Sequence, residues 1–256
     1  MIDIKNLSYK IKDKEIVKDA TLSCKEGQIT ALLGANGAGK STLLKLLSAE
    51  LAQQSGQISI NGKELAKYST LELAQKRSVM PQNVDLNFDF TALEVVLMGR
   101  SAHNAGIDSE ADKKIALNCL AEVECEHLKD RSFTTLSGGE KQRITLARVL
   151  AQIAEVDKPI LLMDEPIANL DPEHQQAAMK SAKRRAAEGA TVFLILHDFN
   201  IAANYADKIY IINHGEITYS GSAEEVFQKQ IIKENFNVDI ELITHPKTGK
   251  PQLIFL

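Results

Sequence analysis

The stretch Ile29-Thr30-Ala31-Leu32-Leu33-Gly34-Ala35-Asn36-Gly37-Ala38-Gly39-Lys40-Ser41-Thr42-Leu43-Leu44-Lys45-Leu46-Leu47-Ser48 decides the fold. Ile29–Leu33 is a short apolar run and reads as a buried strand. Ser41–Ser48 carries leucines at 43, 44, 46 and 47 and reads as a helix. Between them, Gly34–Thr42 fits G-x-x-x-x-G-K-[ST] at every defined position. Glycines let successive backbone N–H groups turn inward and form a nest for phosphate oxygens. The helix N-terminus adds the positive end of its dipole. In such a loop Asn36, Gly37, Ala38 and Gly39 supply backbone N–H donors, and Lys40 reaches the terminal phosphates. The Ser41 hydroxyl can ligate Mg²⁺, with Thr42 beside it. A glycine-rich turn that binds nothing is the competing reading; the flanking strand and helix speak against it.

Working outward, Tyr9 lies in the first of several half-exposed segments. Residues 2–32 alternate apolar and polar with a turn near Lys12-Asp13-Lys14, and residues 57–61 meet Gly62. These read as an antiparallel, half-exposed sheet. Val79–Gln82 reads as a strand. From residue 83 to 156 the pattern turns helical. Capping boxes are expected at Ser69/Glu72 and Thr91/Glu94, a second helix after Ser109 and Asp112, and a third from Glu140. After that, strands and helices alternate. Ile160–Met163 and Val192–Leu196 are apolar throughout, as strands buried on both faces should be. Ser222 and Glu225 are expected to cap the last helix, and hairpins to span 209–219 and 240–256. The alternation predicts an α/β fold with a parallel sheet covered by helices.

Composition excludes several classes. The net charge of −4 carries no signature of nucleic-acid binding. Three cysteines, Cys24, Cys119 and Cys125, lie far apart without a C-x-x-C, which suits buried thiols in a reducing compartment. The N-terminus lacks the pattern of a signal peptide. No apolar run approaches the roughly 20 residues of a membrane span, so membrane association is expected to run through a partner.

Two further segments carry chemistry. Ile160–Pro166 leads four apolar residues to Asp164, placed at a strand end to hold Mg²⁺, and to Glu165, placed to polarise an attacking water. Leu136-Ser137-Gly138-Gly139-Glu140-Lys141-Gln142-Arg143 contains a capping box, Ser137/Glu140, for the helix that follows. Two glycines are costly at a helix start unless close backbone approach is needed, so this is also a second phosphate-binding surface.

Those residues carry a resemblance. The Leu136–Arg143 run resembles the signature sequence of ATP-binding-cassette ATPases. Gln82 in Met80-Pro81-Gln82 resembles that family's Q-loop glutamine, Ala168-Asn169-Leu170-Asp171 its D-loop, and His197 in Leu196-His197-Asp198 its switch histidine. The resemblance covers essentially the whole chain, with one departure, Ile167, where the family usually has Thr or Ser. It implies a P-loop NTPase (RecA-like) core in residues 1–82 and 157–256, with an N-terminal antiparallel β subdomain. Residues 83–156 would form an inserted helical subdomain bearing the signature. The implied activity is ATP hydrolysis. Two chains would close head to tail on two ATP molecules, each nucleotide meeting the loop of one chain and Ser137, Gly138, Gly139 and Glu140 of the other. By the same resemblance Ser41, Gln82 and Asp164 would hold Mg²⁺. Glu165, His197 and Gln82 would be catalytic, Tyr9 would stack on adenine, and Asp171 would belong to the dimer contact.

Other members of that family repair DNA or act on ribosomes. Residues 83–135 are too short for the coiled coil of the former and show no sustained heptads, and there is one phosphate loop where the latter have two. A transporter ATPase remains, working with transmembrane permease subunits and indirectly with a periplasmic or extracellular substrate-binding protein, peripheral on the cytoplasmic face of the inner membrane. Val95–Arg100 with His103, and His197–Ala203 with Tyr205-Ala206-Asp207, resemble importers of iron chelates, haem and cobalamin. Ala147–Gln152 with Lys158-Pro159, and the tail His245–Pro251, resemble the haem importer cassettes. An Fe³⁺-siderophore or cobalamin is the alternative cargo, and no direct haem contact by His103 or His245 is expected. Phe88, Phe90, Leu93 and Leu97 are expected to line a groove for the permease, or to be helical core.

Overall fold

The computed structural model describes residues 1–82, 89–104 and 106–256. The chain forms two compact units, Met1–Tyr68 with Thr191–Leu256, and Ser69–Ala190.

The first unit opens with β1 (Ile2–Ile11) and β2 (Lys14–Cys24), an antiparallel hairpin in register from Ile2 opposite Cys24 to Ile11 opposite Lys14. Alternation is the cause: Ile2, Ile4, Val17, Ala20, Leu22 and Cys24 go inward and are buried. β3 (Ile29–Leu33) has all five of its residues buried, as its apolar run predicts, and so stands apart from the half-exposed strands before it. It feeds the loop and α1 (Lys40–Leu47). β4 (Ser55–Ile60) pairs with β1, and β5 (Lys63–Glu64) with β4, completing an antiparallel sheet in the order β2-β1-β4-β5.

In the second unit, α2 (Thr70–Lys76) runs into β6 (Arg77–Met80), followed by α3 (Ala92–Leu97), α4 (Glu110–Glu122), α5 (Gly138–Ile153), β7 (Ile160–Asp164) and α6 (Pro172–Ala187). The strand expected to reach Gln82 stops at Met80, because Pro81 has no N–H to donate. β6 and β7 pair in parallel, Arg77 opposite Ile160 through Met80 opposite Met163. The capping boxes expected at Ser69/Glu72 and Thr91/Glu94 form with both bonds, and Ser109/Asp112 forms a third at the start of α4. Arg100 holds the helices together: its Nε donates to Asp112 Oδ1 at 2.8 Å and its Nη1 to Ala151 O at 2.9 Å, all nearly closed to solvent. The Gln152 amide donates to Ala74 O and Arg77 O, while Gln152 O pairs with His103 Nε2 at 2.8 Å.

The first unit resumes with β8 (Thr191–Ile195), α7 (Phe199–Tyr205), β9 (Lys208–Asn213), β10 (Glu216–Gly221), α8 (Ala223–Val226), α9 (Lys229–Phe236), β11 (Ile240–Thr244) and β12 (Pro251–Phe255). β3 lies between β8 and β9 and is parallel to both, a setting in which a strand is buried on both faces. The helix capped by Ser222/Glu225 is a single turn and not the last, since α9 follows it. α9 lacks a side-chain cap at Gln228, so its start carries no capping signal in the sequence. Both expected hairpins form, β9–β10 and β11–β12.

Candidate functional site

Gly34–Gly39 links β3 to α1, and neighbouring backbone shapes it. A Cβ on Gly34 would lie 2.4 Å from Ile212 O, and one on Gly39 would lie 2.6 Å from Ile16 O. Gly39 sits at φ 107, a backbone region reserved for glycine. The loop is thus wedged between β2 and β9. Gly215 N donates to Ala38 O, fixing it from the β9–β10 turn. Lys40 is buried, and its Nζ donates to Gly34 O at 2.8 Å and Ala35 O at 3.1 Å. The ammonium is held against the loop whose phosphates it would meet. Ala35, Asn36, Gly37 and Ser41 are exposed, Thr42 half-buried, and Ala38 and Gly39 buried.

In the same unit His197 is exposed two residues beyond β8, and Asp198 caps α7 by accepting from Ile201 N at 2.9 Å. His197, Gly34, Ala35 and Asn36 line one cleft, together with Phe199 and Phe236. The structure therefore brings the phosphate loop and the histidine to the same recess. Tyr9, half-buried in β1, pairs with Val17, the neighbour of the Ile16 whose carbonyl abuts Gly39.

The second unit gathers the remaining candidates. Asp164 ends β7 with its carboxylate buried. Glu165 follows at φ 51, a left-handed conformation costly for a side-chain-bearing residue and concentrated at functional sites. Its Oε2 accepts from Gln82 Nε2 at 2.9 Å. Its carbonyl accepts from Ala168 N and, at 3.2 Å, from Gln142 Nε2. Gln142 is a polar residue on the buried face of α5; it lies within the Leu136–Arg143 run, but the sequence assigned it no role of its own. Its signal in the sequence is an amide inside an apolar stripe, and buried amides seek partners.

Ser137 caps α5, which begins at Gly138, two residues before the expected start. The Ser137 side chain accepts from Glu140 N, and Glu140 Oε2 accepts from Ser137 N at 2.7 Å. That backbone bond holds the Glu140 carboxyl below its ordinary range. A Cβ on Gly139 would meet Asn169 O at 3.2 Å, so the glycine also lets the helix start approach the 168–171 turn, where Asn169 has φ 61. Ser137 and Gly138 are exposed. Asp171 caps α6, accepting from His174 N at 3.0 Å, and that bond lowers its carboxyl pKa. Of the groove residues, Leu97 is buried in α3 and Leu93 half-buried; residues 83–88, with Phe88, lie outside the described residues.

The loop, the acidic strand end and the glycine-led helix start define a nucleoside-triphosphate-hydrolysing cassette. Residues 17–168 match the family model described as ABC transporter. The chain is 43% identical over 261 residues to the hemin import ATP-binding protein HmuV of Plesiomonas shigelloides, covering 96% of this chain and 98% of that protein. Two solved structures resemble it across most of its length. One is an inward-facing transporter assigned to the metal-chelate type of ABC transporters (TM-score 0.83, 26% identity, 100% of this chain and 96% of that one). The other is a dimeric, post-hydrolysis ATP-binding cassette bound to ADP and Pi (TM-score 0.76, 29% identity, 87% and 98%). The chain belongs to the ABC transporter family and is one of its ATP-binding, ATP-hydrolysing subunits.

Proposed function

We propose that the chain powers a bacterial importer of hemin. The relative named for hemin import supports the cargo, since the match runs nearly end to end. For the chemistry, the observation that carries the reading is the Gln82–Glu165 bond. It ties a side chain suited to sensing the nucleotide to the carboxylate suited to activating water.

In this reading the nest of Asn36–Gly39, with Lys40, Ser41 and Thr42, grips the phosphates, and Tyr9 stacks on the adenine. The ring face of a half-exposed strand aromatic suits that contact. Ser41, Gln82 and Asp164 offer a hydroxyl, an amide oxygen and a carboxylate, all hard oxygen donors, and so fit Mg²⁺. The Gln82 amide donates through Nε2, which leaves Oε1 as the ligating atom. When bound, the ion neutralises charge that builds on the phosphates. Glu165 orients a water and takes its proton as the water oxygen bonds to the γ-phosphorus. The bond from that phosphorus to the ADP oxygen breaks, leaving ADP and phosphate, and His197 contacts the γ-phosphoryl oxygens. The exposed Ser137 and Gly138, with Gly139, engage the nucleotide of a second copy, and Asp171 lies in that dimer contact. The signature residues are then completed only in a closed pair.

The output is movement of transmembrane permease subunits, served from outside by a substrate-binding protein. No helix among the described residues is long and apolar enough to cross a membrane. In this reading the chain is a peripheral subunit at the cytoplasmic face. The cargo never touches this chain. The test is the transporter reassembled in proteoliposomes with its permease. Hemin uptake that requires ATP and stops in Glu165→Gln is expected. The metal-chelate neighbour favours a second reading, a ferric siderophore as cargo; uptake of that chelate, with hemin ignored, would replace the first.

A further inference from the structure

α7, whose first residue Phe199 lines the His197 cleft, is braced by the C-terminal part of the chain. Asn200, on α7, bonds to both backbone groups of Leu253 in β12: Leu253 N donates to Asn200 Oδ1 at 2.7 Å and Asn200 Nδ2 donates to Leu253 O at 3.1 Å. One side chain thereby replaces the pairing of a neighbouring strand. One turn on, Lys250 Nζ donates to Asn204 O and Gln252 Nε2 to Asn204 Oδ1, both at 3.3 Å. Phe199, two residues after His197, meets three rings edge-on, with centroids 4.8 Å from Phe236, 5.9 Å from Phe227 and 5.8 Å from Phe255. Phe199 and Phe236 line the recess that also holds His197 and Gly34–Asn36. These supporting residues all lie beyond the 17–168 span of the family match.

We propose that the β11–β12 hairpin is a positioning element for His197, with Asn200 as the positioning residue that transmits it. His197 sits on the short link between β8 and α7, so its backbone follows the start of α7. The β8 end of the link is fixed within the sheet, where Leu196 N donates to Leu32 O. The α7 end is fixed by the aromatic cluster and by Asn200. Loosening the hairpin frees α7 at the His197 end while the phosphate loop, held by β2 and β9, stays in place. Nucleotide affinity and turnover therefore separate.

The inference rests on the γ-phosphate role of His197, and the experiment tells the two apart. Turnover is measured in the reassembled transporter, and affinity for a fluorescent ATP analogue and the His197 ring resonances in the isolated full chain. Asn200→Ala is expected to lower turnover about tenfold, as small misplacements of a reacting group do. Affinity should stay within about twofold, as for an interaction made only in the transition state. Phe255→Ala, at an exposed position, should lower turnover about threefold through its lost ring contact. Both should shift the His197 resonances. Unchanged turnover in the variants, or turnover lost with unmoved His197 resonances or with equal loss of affinity, overturns the inference. If Asn200→Ala does not fold, Phe255→Ala decides alone. Normal turnover in His197→Ala would instead remove the role on which the inference stands.

Discussion

Alanine at Gly37 and at Gly39 should act very differently, although the two glycines are two residues apart in one loop. Around Gly37 an added Cβ meets nothing within 4 Å, and its φ of 79 lies near the left-handed well. The cost of Gly37→Ala is therefore backbone strain alone, about 1–2 kcal/mol. At Gly39 the φ of 107 lies well outside that well, and the added Cβ would stand 2.6 Å from Ile16 O. Strain there costs about 1–3 kcal/mol. The clash is with backbone, so β2 or the loop must shift, at about 1–3 kcal/mol more, as for overpacking. Together this is about 2–6 kcal/mol imposed on the conformation that binds phosphate. Every 1.4 kcal/mol is about tenfold in affinity, so Gly39→Ala should weaken ATP binding from roughly 30-fold upward. Gly37→Ala should lose at most a few-fold to roughly 30-fold.

Thermal stability gives an independent reading. Replacing glycine by alanine also narrows the unfolded ensemble, which returns about 0.4–1 kcal/mol. Gly37→Ala should then shift Tm by no more than a few degrees, because about 1 kcal/mol corresponds to about 2–4 °C at this chain length. Gly39→Ala should lower it clearly. The assay is a fluorescent ATP-analogue titration at fixed Mg²⁺, with melting followed by circular dichroism. Equal affinities in the two variants, or a Gly39→Ala protein as tight and stable as wild type, would refute the account of a loop held between two backbone walls.

Other outcomes follow from the structure. Glu165→Gln should retain ATP and accumulate as a closed dimer on size-exclusion chromatography while turnover stops; normal turnover would sink the water-activating role. Ser137→Arg should leave monomer nucleotide binding intact and abolish that ATP-induced dimer. Arg100→Ala leaves Asp112 buried without its cation and should destabilise the chain by about 3–5 kcal/mol in denaturant unfolding. Because the bonds from Ser109 and Arg100 depress the Asp112 carboxyl, its contribution is complete above the ordinary carboxylate range and fades as pH falls below it. Acid titration of Arg100→Ala should show a smaller loss of stability over that window. Burial pushes the thiol of Cys24 up to about 12 and those of Cys119 and Cys125 up to about 11, so none should react with a thiol reagent at neutral pH until denaturant is added.

What the sequence makes legible follows from how local the cause is. The capping boxes are encoded within four residues, and those expected at Ser69, Thr91, Ser137 and Ser222 have both of their bonds. The all-apolar strands at 29–33 and 160–163 are equally local, since burial on both faces leaves no polar alternation to misread. Long-range causes are silent. The carbonyls of Ile16 and Ile212 that forbid a side chain at Gly39 and Gly34 come from strands distant in sequence. The uncapped α9 and its Phe236 in the His197 cleft left no mark either. Between these extremes lie Arg100, His103 and Gln152. They stood out as part of a resemblance, and the structure supplies a physical reason in the hydrogen bonds that lock the helices of the second unit.

The Ser137–Glu140 box shows why a structural and a functional reading of one motif need not compete. Capping consumes particular atoms: a lone pair of the Ser137 hydroxyl goes to Glu140 N, and Glu140 Oε2 goes to Ser137 N. The hydroxyl hydrogen faces the Glu140 carboxylate and must turn from it to reach a phosphate oxygen. The N–H groups of Gly138 and Gly139 belong to the first helical turn and by geometry have no intrahelical acceptor. The cap therefore fixes the helix start while leaving these backbone donors to an anion, and the glycines keep that surface bare of side chains. Glu140, its carboxylate engaged by the cap and with Arg131 at 3.8 Å, is better suited to holding this arrangement than to meeting a phosphate itself. Glu140→Gln, which keeps an acceptor for Ser137 N, should then preserve most ATP-induced dimerisation, whereas Glu140→Ala should weaken it by roughly the fivefold that losing about 1 kcal/mol of capping implies. Equal loss in both variants would mean that the carboxylate charge, and not the cap, is what the signature requires.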